Sequence, residues 1–245
     1  MPSIKCILFD CDNTLVLSEP LAFASCADLL NEILEKHGRP ERFTGPELMS
    51  TFVGQNFRGM MGSLQERYGF TMTDAELDTY VSRELEHTVE KLEAAAEPCA
   101  GAIEALERLQ QTGKYRLAVV SSSALSRVKA SLKKVGMERF FAPEHVYSAA
   151  TSLPVPTSKP NPAIYLHACK ELGFAPGECV AIEDSKSGAT AAKNAKIPLV
   201  GYVGPYDDEE ERTKMRKVLK EDCGAITILE HWNDFEEALK KVEGA

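Results

Sequence analysis

Short apolar runs and stretches of helical period take turns along most of this chain. Ile4 to Phe9, Arg116 to Val120, Val146 to Ser148, Cys179 to Ile182, Leu199 to Val203 and Ala225 to Leu229 are strand-length apolar runs, the length expected of buried strands. Between and after them the apolar residues recur every three or four positions. Leu125, Val128, Leu132 and Val135 share one face of a helix over 124–135, closed by Gly136. Helices are also predicted over 102–111, 161–172, 187–195 and 235–242, with Asn161 as a cap and Pro162 at a first helical position.

Residues 16–96 break this alternation. A helix over 20–37 buries Leu30, Ile33 and Leu34 and stops at Gly38. Residues 43–48, with Gly45 and Pro46, read as a loop leading to a helix over 52–68 that carries Phe57, Met60, Met61 and Leu64 on one face. Thr73 with Glu76 three residues on has the form of a capping box, opening a third helix through Leu77, Val81, Leu85 and Leu92. The expected architecture is a doubly wound, mostly parallel α/β sheet formed by 1–15 and 97–245, with an inserted all-helical domain over 16–96. In such sheets ligands bind beyond the carboxyl ends of the strands.

Composition narrows the partners. The chain has 245 residues, 44% of them hydrophobic, enough for a sizeable core. A formal charge of -9 argues against nucleic acid or an anionic membrane as a general partner, while leaving room for an anionic small substrate. Cys6, Cys11, Cys26, Cys99, Cys169, Cys179 and Cys223 are odd in number, with no pair at metal-site spacing, so neither a disulfide framework nor a zinc site is indicated. A reducing compartment, the cytoplasm, is expected. Lys5 and Asp10 break up the first apolar stretch, unlike a signal peptide, and no stretch is long enough to span a bilayer. The protein is expected to be a monomer.

Chemistry collects where the predicted strands end. Asp10 and Asp12 follow the first strand, Ser121 the second, and Glu183 and Asp184 the fourth; Lys159 precedes the Asn161 helix. Each has a plain structural explanation: a turn former, a helix cap, a surface lysine. Their convergence on one sheet edge has a chemical one. Clustered acids make a hard oxygen site suited to Mg²⁺, and a lysine beside a serine hydroxyl suits phosphate oxygens. Carboxylate attack on a phosphate dianion is opposed by like charge, which a divalent cation and a lysine would offset.

At these residues the sequence resembles the haloacid dehalogenase superfamily. The matching segments are Phe9-Asp10-Cys11-Asp12-Asn13-Thr14-Leu15, Val119-Val120-Ser121-Ser122-Ser123, Ser158-Lys159-Pro160-Asn161-Pro162 and Ile182-Glu183-Asp184-Ser185-Lys186-Ser187-Gly188, in family order. The resemblance implies that Asp10 is the nucleophile and Asp12 the general acid/base, which also lends its backbone carbonyl to Mg²⁺. It implies that Thr14, Ser121, Ser122 and Lys159 hold the phosphoryl group. Asp184 would be a metal ligand, with Glu183 at or just outside the metal shell. The inserted helices would be the cap of the subgroup that includes β-phosphoglucomutase-like sugar phosphatases.

Departures from the pattern are informative. Asn13 stands where phosphatase-like members usually carry Gly, and Asn tolerates turn geometry. Leu17 stands where they usually carry Asp, at the hinge. Ala22 occupies the position of a cap His in mutase-like members, which disfavours a mutase. Asp12 favours a phosphatase over a dehalogenase, which has no leaving oxygen to protonate. Lys36 lies away from the position where phosphonate-cleaving relatives carry their lysine. Gly54-Gln55-Asn56-Phe57-Arg58 matches a cap loop, making Arg58 a candidate substrate contact, although an exposed arginine on an amphipathic helix explains it as well. The five histidines lack metal spacing, and Trp232 is expected to be a packing residue. The expected activity is Mg²⁺-dependent hydrolysis of a small phosphorylated metabolite, such as a sugar phosphate, through an aspartyl-phosphate. The alternatives are a phosphosugar mutase and a non-catalytic phospholigand-binding module.

Overall fold

The structure, a computed structural model, describes residues 3–52 and 55–244. Among them, six parallel strands make the central sheet: β1 (Cys6–Phe9), β4 (Arg116–Ser121), β5 (Val146–Ser148), β6 (Cys179–Glu183), β7 (Leu199–Tyr202) and β8 (Thr227–Leu229). A second pair, β2 (Val16–Leu17) and β3 (Glu97–Pro98), forms a short antiparallel ribbon. The helices are α1 (Glu19–Lys36), α2 (Gly45–Thr51), α3 (Phe57–Tyr68), α4 (Asp74–Ala95), α5 (Ala102–Thr112), α6 (Leu125–Lys134), α7 (Ala163–Leu172), α8 (Lys186–Asn194), α9 (Glu209–Lys217) and α10 (Phe235–Glu243). No helix among the described residues is long and apolar enough to cross a membrane.

The sheet order is β5-β4-β1-β6-β7-β8, which puts β1 at the centre. Every residue of β1 is buried, as its unbroken apolar sequence requires of a strand covered on both faces. Side chains alternate across it. On one side Phe9 meets Phe141, Trp232 and Phe235, with ring centroids 6.0 Å away in each case. On the other, Cys6 and Leu8 join Ile164, Tyr165 and Ala168 of α7 and Ala189 and Ala192 of α8 in one core. Phe9 is paired in register with Val119 of β4 and Ile182 of β6. The residues after these three strands therefore emerge side by side.

The chain divides into two compact units, Met1–Leu17 with Glu97–Ala245, and Ser18–Ala96. Within the helical unit, Leu30, Ile33, Leu34, Met60, Met61 and Leu64 pack into a core of their own. Thr73 accepts from the Glu76 N–H at 3.2 Å, and Glu76 accepts from the Thr73 N–H at 3.0 Å, the reciprocal cap expected from the sequence. Thr73→Ala is expected to cost about 1 kcal/mol, read as a lower urea midpoint, because it strands a backbone donor at the start of α4. An unchanged midpoint would contradict this role for the cap.

Several expectations are corrected. The loop expected over 43–48 instead contains the start of α2, because Thr44 and Glu47 form a second capping box and Pro46 is tolerated in a first helical turn. The helix expected from residue 52 starts at Phe57, capped by Asn56; positions 53 and 54 of that stretch, with the Gly54 of the cap-loop motif, lie outside the described residues. α7 opens at Ala163, with Pro162 rather than Asn161 at the cap position and no side-chain cap; Asn161 instead accepts from the Ala163 N–H at 2.9 Å in the turn that leads into the helix. The β2–β3 ribbon was not foreseen, since two residues a side carry no periodicity to read.

Candidate active site

The site is built on the ends of β1, β4 and β6. The Asp10 N–H donates to Ile182 O at 3.0 Å, so Asp10 still belongs to the sheet while its carboxylate stands at the edge. The chain then turns sharply. Asn13 takes φ +55°, the left-handed region that Asn visits more readily than most residues. Its N–H donates to Val16 O at 2.7 Å, closing the turn. Trp232 is fully buried and its indole N–H donates to Thr14 O at 3.2 Å, so the tryptophan anchors the turn as well as filling the core.

Lys159 binds the edge together. Its Nζ donates to Asp10 Oδ1 at 2.5 Å, Glu183 Oε1 at 2.6 Å and Val120 O at 2.8 Å. An ammonium has three protons, and all three have acceptors here. The pair is buried: the Lys159 and Glu183 side chains are 3% and 0% exposed. Burial opposes the Lys159 charge, but Asp10 and Glu183 outweigh it and hold its pKa above the usual lysine value. Burial, aided by the charges of Glu183 and Asp12 and opposed by Lys159, pushes Asp10 up to about 8. Burial also raises Glu183 against the pull of Lys159.

Asp10, Glu183 and Asp184 each offer a carboxylate oxygen within 4.8 Å of the others. Glu183 Oε2 is buried and has no hydrogen-bond partner. A Cβ at position 188 would stand 1.8 Å from that oxygen, so Gly188 is what lets the Glu183 carboxylate lie against the first turn of α8. A buried orphaned oxygen, an acid driven toward protonation and an all-carboxylate donor set are what a hard divalent cation would relieve.

The remaining sequence-predicted residues fall as follows. Asp12 Oδ2 accepts from the Ser121 hydroxyl at 3.1 Å and from the Ser123 hydroxyl at 2.8 Å. The Thr14 hydroxyl donates to Asp184 Oδ1 at 3.1 Å. Ser122 Oγ accepts from the Lys159 N–H at 3.1 Å. Ser185, not Asp184, caps α8, which keeps the Asp184 carboxylate out of the cap. Arg58 is exposed on α3 and hydrogen-bonded to Asp78 of α4, both within the helical unit.

Three residues at this edge went unread in the sequence. Ser123 lies in the Val119–Ser123 segment, but nothing in its sequence neighbourhood shows that its hydroxyl reaches Asp12. Tyr165, fully buried on α7, donates its hydroxyl to Glu183 Oε1. Tyr206 donates to Asp184 O at 3.1 Å. A signal existed for Tyr165: a tyrosine on the apolar face of a predicted helix needs a partner for its hydroxyl.

Acids and a lysine gathered beyond the carboxyl ends of a parallel sheet lie where α/β enzymes place their active sites. Comparison with known proteins gives the family. The family description "haloacid dehalogenase-like hydrolase" matches residues 4–196. YhcW of Bacillus subtilis is 32% identical over 80% of this chain and 82% of its own length. A phosphoglycolate phosphatase of Thiobacillus denitrificans is 29% identical over 83% of this chain and 84% of its own. A hydrolase of the same fold from Deinococcus radiodurans, solved with bound phosphate and sodium, superposes with a TM-score of 0.71 at 24% identity, covering 99% of this chain and 97% of that one. The chain belongs to the haloacid dehalogenase-like hydrolases.

Proposed function

We propose that this protein is a Mg²⁺-dependent phosphatase of small phosphorylated metabolites, such as phosphoglycolate or a sugar phosphate, that works through an aspartyl-phosphate on Asp10. The observation that carries this reading is the buried group of Asp10, Glu183 and Asp184, with Lys159 bridging the first two. The family and the phosphatase name of a relative support it.

Mg²⁺ would be held by Asp10, Glu183 and Asp184, and when bound it supplies the positive charge that lets a carboxylate and a phosphate approach one another. The rest falls to side chains. An Asp10 carboxylate oxygen attacks phosphorus as the ester P–O bond breaks, and Asp12 gives its proton to the leaving oxygen. Asp12 then takes a proton from water, which attacks the acyl phosphate, releases inorganic phosphate and restores Asp10. The Ser121 and Ser123 hydroxyls hold Asp12 in reach of both steps. Ser122 accepts from the Lys159 N–H, which leaves its own proton for a phosphoryl oxygen. Thr14 steadies Asp184.

The test is a panel of phosphorylated metabolites, phosphoglycolate and hexose phosphates included, assayed for phosphate release with the purified protein. Release is expected with Mg²⁺, should vanish on chelation and should return when Mg²⁺ is restored. Release that survives exhaustive chelation would overturn the metal requirement. Net isomerisation of a sugar phosphate without phosphate release would favour the mutase.

A further inference from the structure

The geometry around Lys159 points to a positioning residue that the family motifs do not include. Lys159 Nζ has its three protons on Asp10, Glu183 and Val120, so its place is set by theirs. Of these, Glu183 has the longest side chain and would otherwise be the freest to move. Tyr165 fixes it: the phenol hydroxyl donates to Glu183 Oε1, the oxygen that also receives Lys159. The same ring lies under the ammonium, with Nζ 5.3 Å from the centroid. One buried side chain thus touches both members of the ion pair. With Oε1 committed twice, Oε2 is the Glu183 oxygen left without a hydrogen bond.

We propose that the Tyr165 hydroxyl orients Glu183 so that one oxygen serves Lys159 and the other is left for the divalent cation, and that α7 thereby sets the metal affinity of the site. This rests on the Mg²⁺-dependent reading above. Partners one step removed from a metal commonly change its affinity by about 10–100-fold when lost. A tyrosine that merely fills the core would not act this way.

Tyr165→Phe separates the two roles, because it keeps the ring, its volume and its contact with Lys159, and removes only the hydroxyl. Calorimetric titration of metal-stripped protein with Mg²⁺ is expected to show binding weakened about tenfold. The kcat on the best ester of the panel should fall by a similar factor, while KM for the ester moves less than about twofold. In a Glu183→Gln background the further effect of Tyr165→Phe on Mg²⁺ binding should fall to less than about a third of its size, since the tyrosine acts through that carboxylate. Mg²⁺ affinity within about twofold of wild type, or an equal loss in the Glu183→Gln background, would overturn the proposal. So would a Tyr165→Phe protein that no longer folds, because the hydroxyl would then be a determinant of the fold. Should the wild type bind Mg²⁺ yet hydrolyse none of the esters, the phosphatase reading fails while the titration still decides on Tyr165. A wild type that binds no Mg²⁺ removes both.

Discussion

Asp10→Asn is expected to leave a folded protein whose turnover of any phosphoester accepted by the wild type is lower by at least about 1,000-fold. The substitution is nearly isosteric, and an amide oxygen can still accept from Lys159. On the proposed mechanism, what it removes is the attacking carboxylate. The change should not cost stability in chelator. Burial already drives Asp10 toward its neutral form, with Glu183 and Asp12 adding to the drive, so a neutral side chain suits the metal-free site. Circular dichroism and a urea midpoint at or above the wild-type value would confirm that fold and chemistry have been separated. Turnover within about tenfold of wild type would mean that some other group accepts phosphorus.

Lys159→Met is expected to fail differently, losing stability as well as activity. Methionine fills much of the same volume, but Asp10 and Glu183 would then face each other across a buried space with no ammonium between them. Removing one partner of a buried ion pair typically costs about 3–5 kcal/mol. A loss of that order is expected in the urea midpoint measured in chelator. Turnover should fall about 100-fold or more, since on the proposed mechanism the site also loses a fixed positive charge beside the phosphoryl group. A midpoint within about 0.5 kcal/mol of wild type would mean that the two carboxylates are neutralised some other way.

The parts of this molecule that a sequence displays are those written in local pattern. β1 could be read because a strand buried on both faces must be apolar throughout. Thr73 and Glu76 could be read because a capping box needs only four residues. Asp10, Lys159 and Asp184 could be placed together because parallel strands bring their carboxyl ends to one edge, whatever their separation along the chain. What escaped depends on register and on side-chain reach. The capping box of Thr44 and Glu47 was hidden by Gly45 and Pro46, which signal a loop anywhere except the first turn of a helix. Gly188 shows its purpose only once the Glu183 carboxylate is seen to occupy the space of a Cβ. Ser123 and Tyr165 are ordinary residues on predicted elements until their hydroxyls are followed to Asp12 and Glu183.

The little ribbon of β2 and β3 has a consequence for how proteins of this build can diversify. Val16 pairs with Pro98 and Leu17 with Glu97, so the points where the polypeptide departs from the sheet domain and returns to it are stitched side by side. An excursion whose two ends are already joined adds little closure entropy when it grows or shrinks. Evolution, or an engineer, could therefore trade the segment between Leu17 and Glu97 for one of another length or shape as a cassette. The carboxylates of the candidate site, carried on or just after strands outside that seam, would keep their order and spacing through the exchange.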